Sequence, residues 1–231
     1  MCSLAKHIEA TIEQEPVNQI FKASAMYKSK FDEFPEVSYY KALERMSKQG
    51  SLVHLAKGLY YRPKNTRFGL VPISENEIIY YYTKDNRGLV IGYRLYNQKG
   101  LTTQISKKVE VLSSALTEQK KTINNIHIKG CEEIISKENI PIIETLEILQ
   151  NYGKIEDINH DAFASYMKKF VFNYSDKLTV DILSNRIYKK STIAFLKSFL
   201  DYFKVKHSLG QFLSSLSKYK VPKVSDFYES A

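Results

Sequence analysis

Between Val37 and Pro63 the chain reads VSYYKALERMSKQGSLVHLAKGLYYRP, a helical period that stops at Gly50 and runs at once into a short hairpin turning at Lys57-Gly58. A 3.6-residue period puts Tyr40, Leu43 and Met46 on one side of this helix and Ser38, Lys41, Arg45 and Lys48 on the other. One side is expected to pack and the other is cationic. A helix that anchors in a small core while its outer face enters the major groove of DNA needs that division. The bland alternative is a solvated surface helix followed by an ordinary hairpin, and the adjoining β-loop favours the first reading.

The elements upstream fit the same arrangement. Ser3 is an expected N-cap for a helix with Leu4, Ile8 and Ile12 on one stripe, ending before Pro16. Gln19 to Lys22 reads as a short strand, Ser24 as the cap of a helix over roughly 25–32, and Phe34-Pro35 as a break. Helix, strand, helix, turn, helix, hairpin is the order of a winged helix-turn-helix, which is predicted over residues 1–69. Arg62 to Ile73, RPKNTRFGLVPI, holds two prolines and a glycine and reads as a connector.

A mixed α/β middle domain is expected over 70–159. It has a helix from Ser74 to about Lys84, a turn at Asn86-Arg87-Gly88, and strands at Lys108–Leu112 and Asn125–Lys129 closed by Gly130. From Ile142 the period becomes helical, giving a helical C-terminal region over 160–231. Its caps are expected at Asp161, Ser175 and Ser208, and its stripes are Phe163/Met167/Phe170, Leu178/Ile182, Leu196/Phe199/Leu200/Phe203 and Leu209/Phe212/Leu213/Leu216. The residues after Pro222 read as a loosely held tail. The fold class is therefore α+β.

A content of 43% hydrophobic residues excludes a disordered chain. The net charge of +9 is unevenly spread: residues 1–69 carry 11 Lys/Arg against 7 Asp/Glu, residues 70–159 carry 11 against 12, and residues 160–231 carry 12 against 6. Clustered cations at the two ends favour polyanions through counterion release, though an acidic protein suits the C-terminal end equally well. Tyr188, Tyr202 and Tyr219 are expected surface tyrosines there. With only Cys2 and Cys131, neither a disulfide framework nor a thiolate metal site is available. No apolar run approaches a membrane span, so a cytoplasmic protein without membrane contact is expected.

No catalytic constellation stands out. His7, His54, His127, His160 and His207 lack metal-ligand spacing, and Asp157/His160/Asp161 read as a turn and helix cap. Gly88–Gly92 lacks the glycine pattern of a phosphate loop and suits a buried strand. Glu132/Glu133 and Glu144/Glu147 read as solvated helix faces, and Thr102-Thr103-Gln104 as a turn. Neither enzyme activity nor a cofactor nor a metal is expected.

The run Ala42-Leu43-Glu44-Arg45-Met46-Ser47-Lys48-Gln49-Gly50, then Leu52-Val53 and Lys57-Gly58-Leu59-Tyr60-Tyr61-Arg62-Pro63, resembles the N-terminal domain of the AbiEi-type abortive-infection antitoxins and their uncharacterised relatives. The block Asn97-Gln98-Lys99-Gly100-Leu101-Thr102-Thr103-Gln104 is similar to a segment that follows that domain. The resemblance implies a bacterial toxin-antitoxin pair of phage defence. In such a pair the winged helix represses its own operon and the rest counters a nucleotidyltransferase-like toxin without a stable complex. Matched positions are Arg45 in the helix and Lys57 and Arg62 in the wing. His54 stands where relatives commonly place an arginine, which weakens a phosphate contact there.

Double-stranded DNA, the chain's own operator, is thus the expected partner, with a cognate toxin as functional partner. Arg45 is the expected base reader because its planar fork can donate twice to guanine. Ser38 and Lys41 are expected near base edges or phosphates, and Lys48, His54, Lys57, Arg62, Lys64 and Arg67 near the backbone. Two other readings stand beside this one: a stand-alone repressor whose middle domain senses a ligand, and a nucleic-acid-processing enzyme with acids gathered from distant positions.

Overall fold

The computed structural model describes residues 4–132 and 135–229. The Ser3 cap, the Leu4 side chain, Cys2 and Glu133 lie outside that description. The chain is α+β and divides into two compact units, Met1–Tyr81 and Tyr82–Ala231, where the sequence suggested three domains.

The first unit runs α1 (Leu4–Glu13), β1 (Phe21–Lys22), α2 (Ala23–Lys30), α3 (Glu36–Lys48), β2 (Val53–Ala56), β3 (Leu59–Tyr61), β4 (Lys64–Thr66) and β5 (Gly69–Val71). Helix α2 begins before its expected cap: Ala23 is buried and its N–H donates to Gly58 O at 2.9 Å, so Ser24 lies inside the helix. Strand β3 is central, pairing antiparallel with β1 on one side and β2 on the other. A single core collects Ile8 and Ile12 of α1, Met26 of α2, Phe31, and Tyr39, Ala42, Leu43 and Met46 of α3. The buried stripe of α3 is therefore set by Tyr39, whose hydroxyl donates to Ala23 O at 3.1 Å; Tyr40, expected inside, is exposed.

Helix α3 ends in a paired backbone turn. Gly50, at φ +78°, donates to Ser47 O at 3.2 Å, and Ser51 N donates to Met46 O at 3.1 Å. These two bonds satisfy carbonyls the helix leaves open and require a left-handed residue that glycine supplies without strain. Residues 62–73, expected as a connector, instead hold the β4–β5 hairpin, with Lys64 opposite Val71 and Thr66 opposite Gly69.

Helix α4 (Glu75–Thr83) carries the chain into the second unit. It opens with a reciprocal cap: Ser74 N donates to Glu77 Oε2 at 2.7 Å, and Glu77 N to Ser74 Oγ at 3.2 Å. The second unit has β6 (Gly88–Ile91), α5 (Tyr93–Gln98), β7 (Val109–Ser113), β8 (Lys120–Ile123), β9 (Ile126–Gly130), α6 (Ile140–Asn151), α7 (His160–Phe172), α8 (Asp176–Asn185) and α9 (Lys190–Tyr202). The sheet order is β6-β7-β9-β8, with β7 and β9 parallel and the other pairs antiparallel.

Leu89, Ile91 and Leu112 of this sheet share one core with Leu146 of α6, Phe163 and Met167 of α7, and Leu196, Phe199 and Leu200 of α9. Residues 160–231 therefore complete the core begun at residue 82. The cap of α7 is Asn159, whose side chain accepts from Ala162 N at 3.0 Å, and Asp161 lies in the first turn. After α9 the expected helix shrinks to a 3-10 turn at Leu209–Phe212, leaving Leu216 exposed. Residues 227 and 228, expected in a loose tail, are docked: Phe227 packs on Phe163, Phe195 and Phe199, and Tyr228 Oη donates to Ala164 O at 2.9 Å. Tyr188, expected at the surface, is buried.

Candidate nucleic-acid interface

The outer face of α3 exposes Val37, Tyr40, Lys41, Glu44, Arg45 and Lys48, with Ser38 half-buried in the first turn. Lys41 and Lys48 stand on this face. Lys48 Nζ pairs with Glu44 at 2.7 Å, one helical turn away, and its hydrogen bond holds the Glu44 carboxyl below the ordinary carboxylate range. Arg45 lies at the edge of the face and turns toward α1, where Nε reaches Glu9 Oε1 at 2.8 Å and Nη2 reaches the same oxygen. The expected base reader is thus held by a carboxylate 36 residues upstream.

The remaining residues lie on the strands. His54, exposed on β2, sits 4.8 Å from the Tyr60 ring across the ladder. Burial raises the Tyr60 pKa, and the nearby Glu44 carboxylate raises it further. Lys57 is exposed in the turn between β2 and β3, beside Gly58 at φ +71°. Arg62 is half-buried: its Nη1 donates to Glu15 O and its own carbonyl accepts from Asn18 N at 2.8 Å, so it ties the end of β3 to the segment after α1. Lys64 and Arg67 are exposed on the β4–β5 hairpin, Lys64 N donating to Asn18 Oδ1 at 3.3 Å.

Sequence reading missed Glu9, Tyr40 and Glu44 as members of this surface. It also missed one pattern that was present: between Glu44 and Glu75 there is no acidic residue, whereas six Lys/Arg fall there. Every carboxylate that tempers the cations of this stretch comes from outside it.

In the second unit, Thr102 Oγ1 donates to Glu156 O at 2.7 Å and accepts from Gln104 N at 3.1 Å, closing the expected turn. Glu144 and Glu147 are not solvated. Glu144 pairs with Lys99 at 2.6 Å, and the buried Glu147 pairs with Arg186 at 3.0 Å. Burial raises the Glu147 pKa while Arg186 and Lys129 oppose the rise. A cavity of about 550 Å³ opens between α6, α7 and the start of α8, with Ile142, Tyr166, Phe170 and Leu178 as apolar wall and Lys99, Glu144 and Lys169 among its polar groups. Among the described residues no group of three His, Cys, Asp or Glu side chains is arranged to hold a metal ion, and no helix is long and apolar enough to cross a membrane.

Over residues 12–169 the chain matches a family of unknown function (DUF6088), and it belongs to that family. The match covers most of the first unit and the sheet of the second, and it ends within α7. No curated protein matches the chain.

Proposed function

We propose that this protein is a DNA-binding transcriptional regulator whose first unit is a winged helix-turn-helix, with α3 as the recognition helix and the β2–β3 turn as the wing. The observation that carries the reading is the combination of element order and sheet order. Helix, strand, two helices and a hairpin are followed in space as β1-β3-β2, so the hairpin directly after α3 is locked into the sheet that backs the same core. The exposed Lys41 and Lys48 on α3, Lys57 in the wing, and a stretch free of carboxylates from Arg45 to Ser74 supply the charge that a phosphate backbone attracts.

Arg45 has a double role in this reading. At rest it braces α3 against α1 through Glu9, and on DNA it exchanges that carboxylate for a base edge or a phosphate. Arg62 acts within the fold, fixing where the wing strand leaves the sheet. The regulator acts on its own promoter and, following the resemblance to AbiEi-type antitoxins, serves as the antitoxin of a phage-defence pair. The test is fluorescence anisotropy of the full chain with the duplex upstream of its gene. Lys41→Ala is expected to weaken binding to all sequences alike and lower the salt slope by about one. Affinity and slope unchanged by both Lys41→Ala and Lys57→Ala would remove the proposed surface. Co-expression with the adjacent gene tests the antitoxin role separately, by rescue of growth.

A second reading rests on the cavity beside Tyr166. Its volume lies in the range of small-molecule sites, which favours a repressor whose second unit senses a ligand. A thermal-shift screen in which Phe170→Trp abolishes every stabilising hit while the protein stays folded would support that alternative.

A further inference from the structure

Building on the DNA-binding reading above, we infer that the β4–β5 hairpin is a second DNA-contacting arm. Arg67 enters the minor groove and the Phe68 ring wedges against a base step, partly unstacking it. Each strand of the hairpin is three residues long, an arm of about 10 Å. It pairs with no other strand of the described residues. Two-stranded ribbons of this size bury too little to be stable by themselves, so an exposed apolar tip on one calls for a use.

The tip is ordered rather than loose. Thr66 Oγ1 donates to Gly69 O at 3.0 Å and accepts from Phe68 N at 3.2 Å, and Gly69 takes φ +105°, which favours glycine. Those bonds present Phe68 at 85% exposure, with Leu70 and Val71 also exposed behind it. The guanidinium carbon of Arg67 lies 4.7 Å from the Phe68 ring centre, so the cation and the aromatic face are displayed as one unit.

Charge selects the occupant. Lys64 adds a cation at the base of the same hairpin, and no carboxylate occurs between Glu44 and Glu75. A second copy of the hairpin would bring like charges together, whereas a duplex offers phosphates to the cations and a base step that an apolar wedge can part. A narrow minor groove concentrates negative potential and attracts arginine, and apolar side chains there partly unstack the step they touch.

The experiment uses the full chain on the duplex it binds, with 2-aminopurine placed in turn at each step of the site. Wild-type binding is expected to raise the fluorescence of one step. Phe68→Ala should abolish that signal and weaken binding about 10-fold with the salt slope unchanged, and Phe68→Trp should restore both. Arg67→Ala should lower the slope by about one, and netropsin in the minor groove should reduce wild-type affinity to that of the Arg67→Ala/Phe68→Ala double variant. Because the side chain is exposed, thermal unfolding of Phe68→Ala should match wild type.

If Phe68→Ala keeps wild-type affinity and fluorescence while Lys41→Ala weakens binding, the arm lies off the DNA and the inference fails alone. Sedimentation in which Phe68→Ala dissolves a dimer, with DNA binding unaltered, overturns it in favour of self-association. If the wild-type chain binds no duplex, the inference falls with the reading beneath it.

Discussion

Replacing Glu9 with glutamine tests whether Arg45 is shared between the fold and DNA. Two nitrogens of Arg45 converge on one oxygen of Glu9, and the side chains are 46% and 24% exposed. Exposed ion pairs contribute about 0.2 to 1 kcal/mol, and a forked contact with one partner three-quarters covered belongs in the upper part of that range, about 0.5 to 1 kcal/mol. The contact with Glu9 occupies Nε and one proton of Nη2 and holds the fork against α1; in the DNA-binding reading proposed above, the guanidinium releases Glu9 to present both edges of that fork to a base. On that reading the same free energy is subtracted from DNA affinity, and at 1.4 kcal/mol per tenfold it corresponds to about 2- to 5-fold.

Glu9→Gln is accordingly expected to lower unfolding free energy by about 0.5 to 1 kcal/mol in urea titration while tightening binding about 2- to 5-fold in anisotropy at about 0.1 M salt. In an Arg45→Ala background the same substitution should do neither. If Glu9→Gln destabilises the fold but leaves affinity unchanged, Arg45 stays outside the interface. If the gain persists without Arg45, it arises from the deleted negative charge, and the exchange of partners argued above is refuted.

Gly88→Ala should destabilise the second unit by about 3 kcal/mol, read as a drop in its thermal midpoint, because an added Cβ would stand 2.4 Å from Tyr82 O and 2.6 Å from Leu112 O, both backbone atoms. Tyr39→Phe removes the buried hydroxyl that donates to Ala23 O and should cost the first unit about 1 kcal/mol in urea unfolding. At Asp176, burial acts to raise the pKa. Hydrogen bonds from Ser208 Oγ at 2.6 Å, Ser208 N at 3.0 Å and Tyr174 Oη at 2.8 Å nevertheless hold it below the ordinary carboxylate range. A depressed folded value means stability that is complete above the unfolded pKa of about 4 and lost as pH falls through the folded one. The acid limb of wild-type stability should therefore flatten in Asp176→Asn, and equal slopes for the two proteins would count against this assignment.

What could be read from the sequence was whatever depends on neighbours along the chain. Helix α3 was legible because its apolar period and Gly50 agree, and the cap at Ser74 with Glu77 completes a local motif. Strands β7 and β9 alternate within themselves. Tyr39 was legible in principle, since Tyr39, Ala42, Leu43 and Met46 follow the helical i, i+3, i+4, i+7 spacing, and grouping Tyr40 with Leu43 and Met46 left Ala42 out of the stripe. Hairpin β4–β5 was hidden by flanking prolines and three-residue strands, and β8 by its polar sequence KKTI. Non-local pairings left no trace at all: Glu9 with Arg45, Arg62 with Glu15, Glu147 with Arg186, and Phe227 with the aromatic core of the second unit. Of the candidate surface, its cationic residues were legible, and the carboxylates that restrain them were not.

Strand β8 lies at one margin of the four-stranded sheet and carries Lys120 and Lys121, which as consecutive strand residues project to opposite faces of that margin. The free edge of an outer strand is an invitation to foreign chains, and a lysine on each face of it makes accretion of another backbone unfavourable. This margin is protected against fibre-like growth, so neutralising the two lysines should reveal itself first as turbidity in concentrated solution.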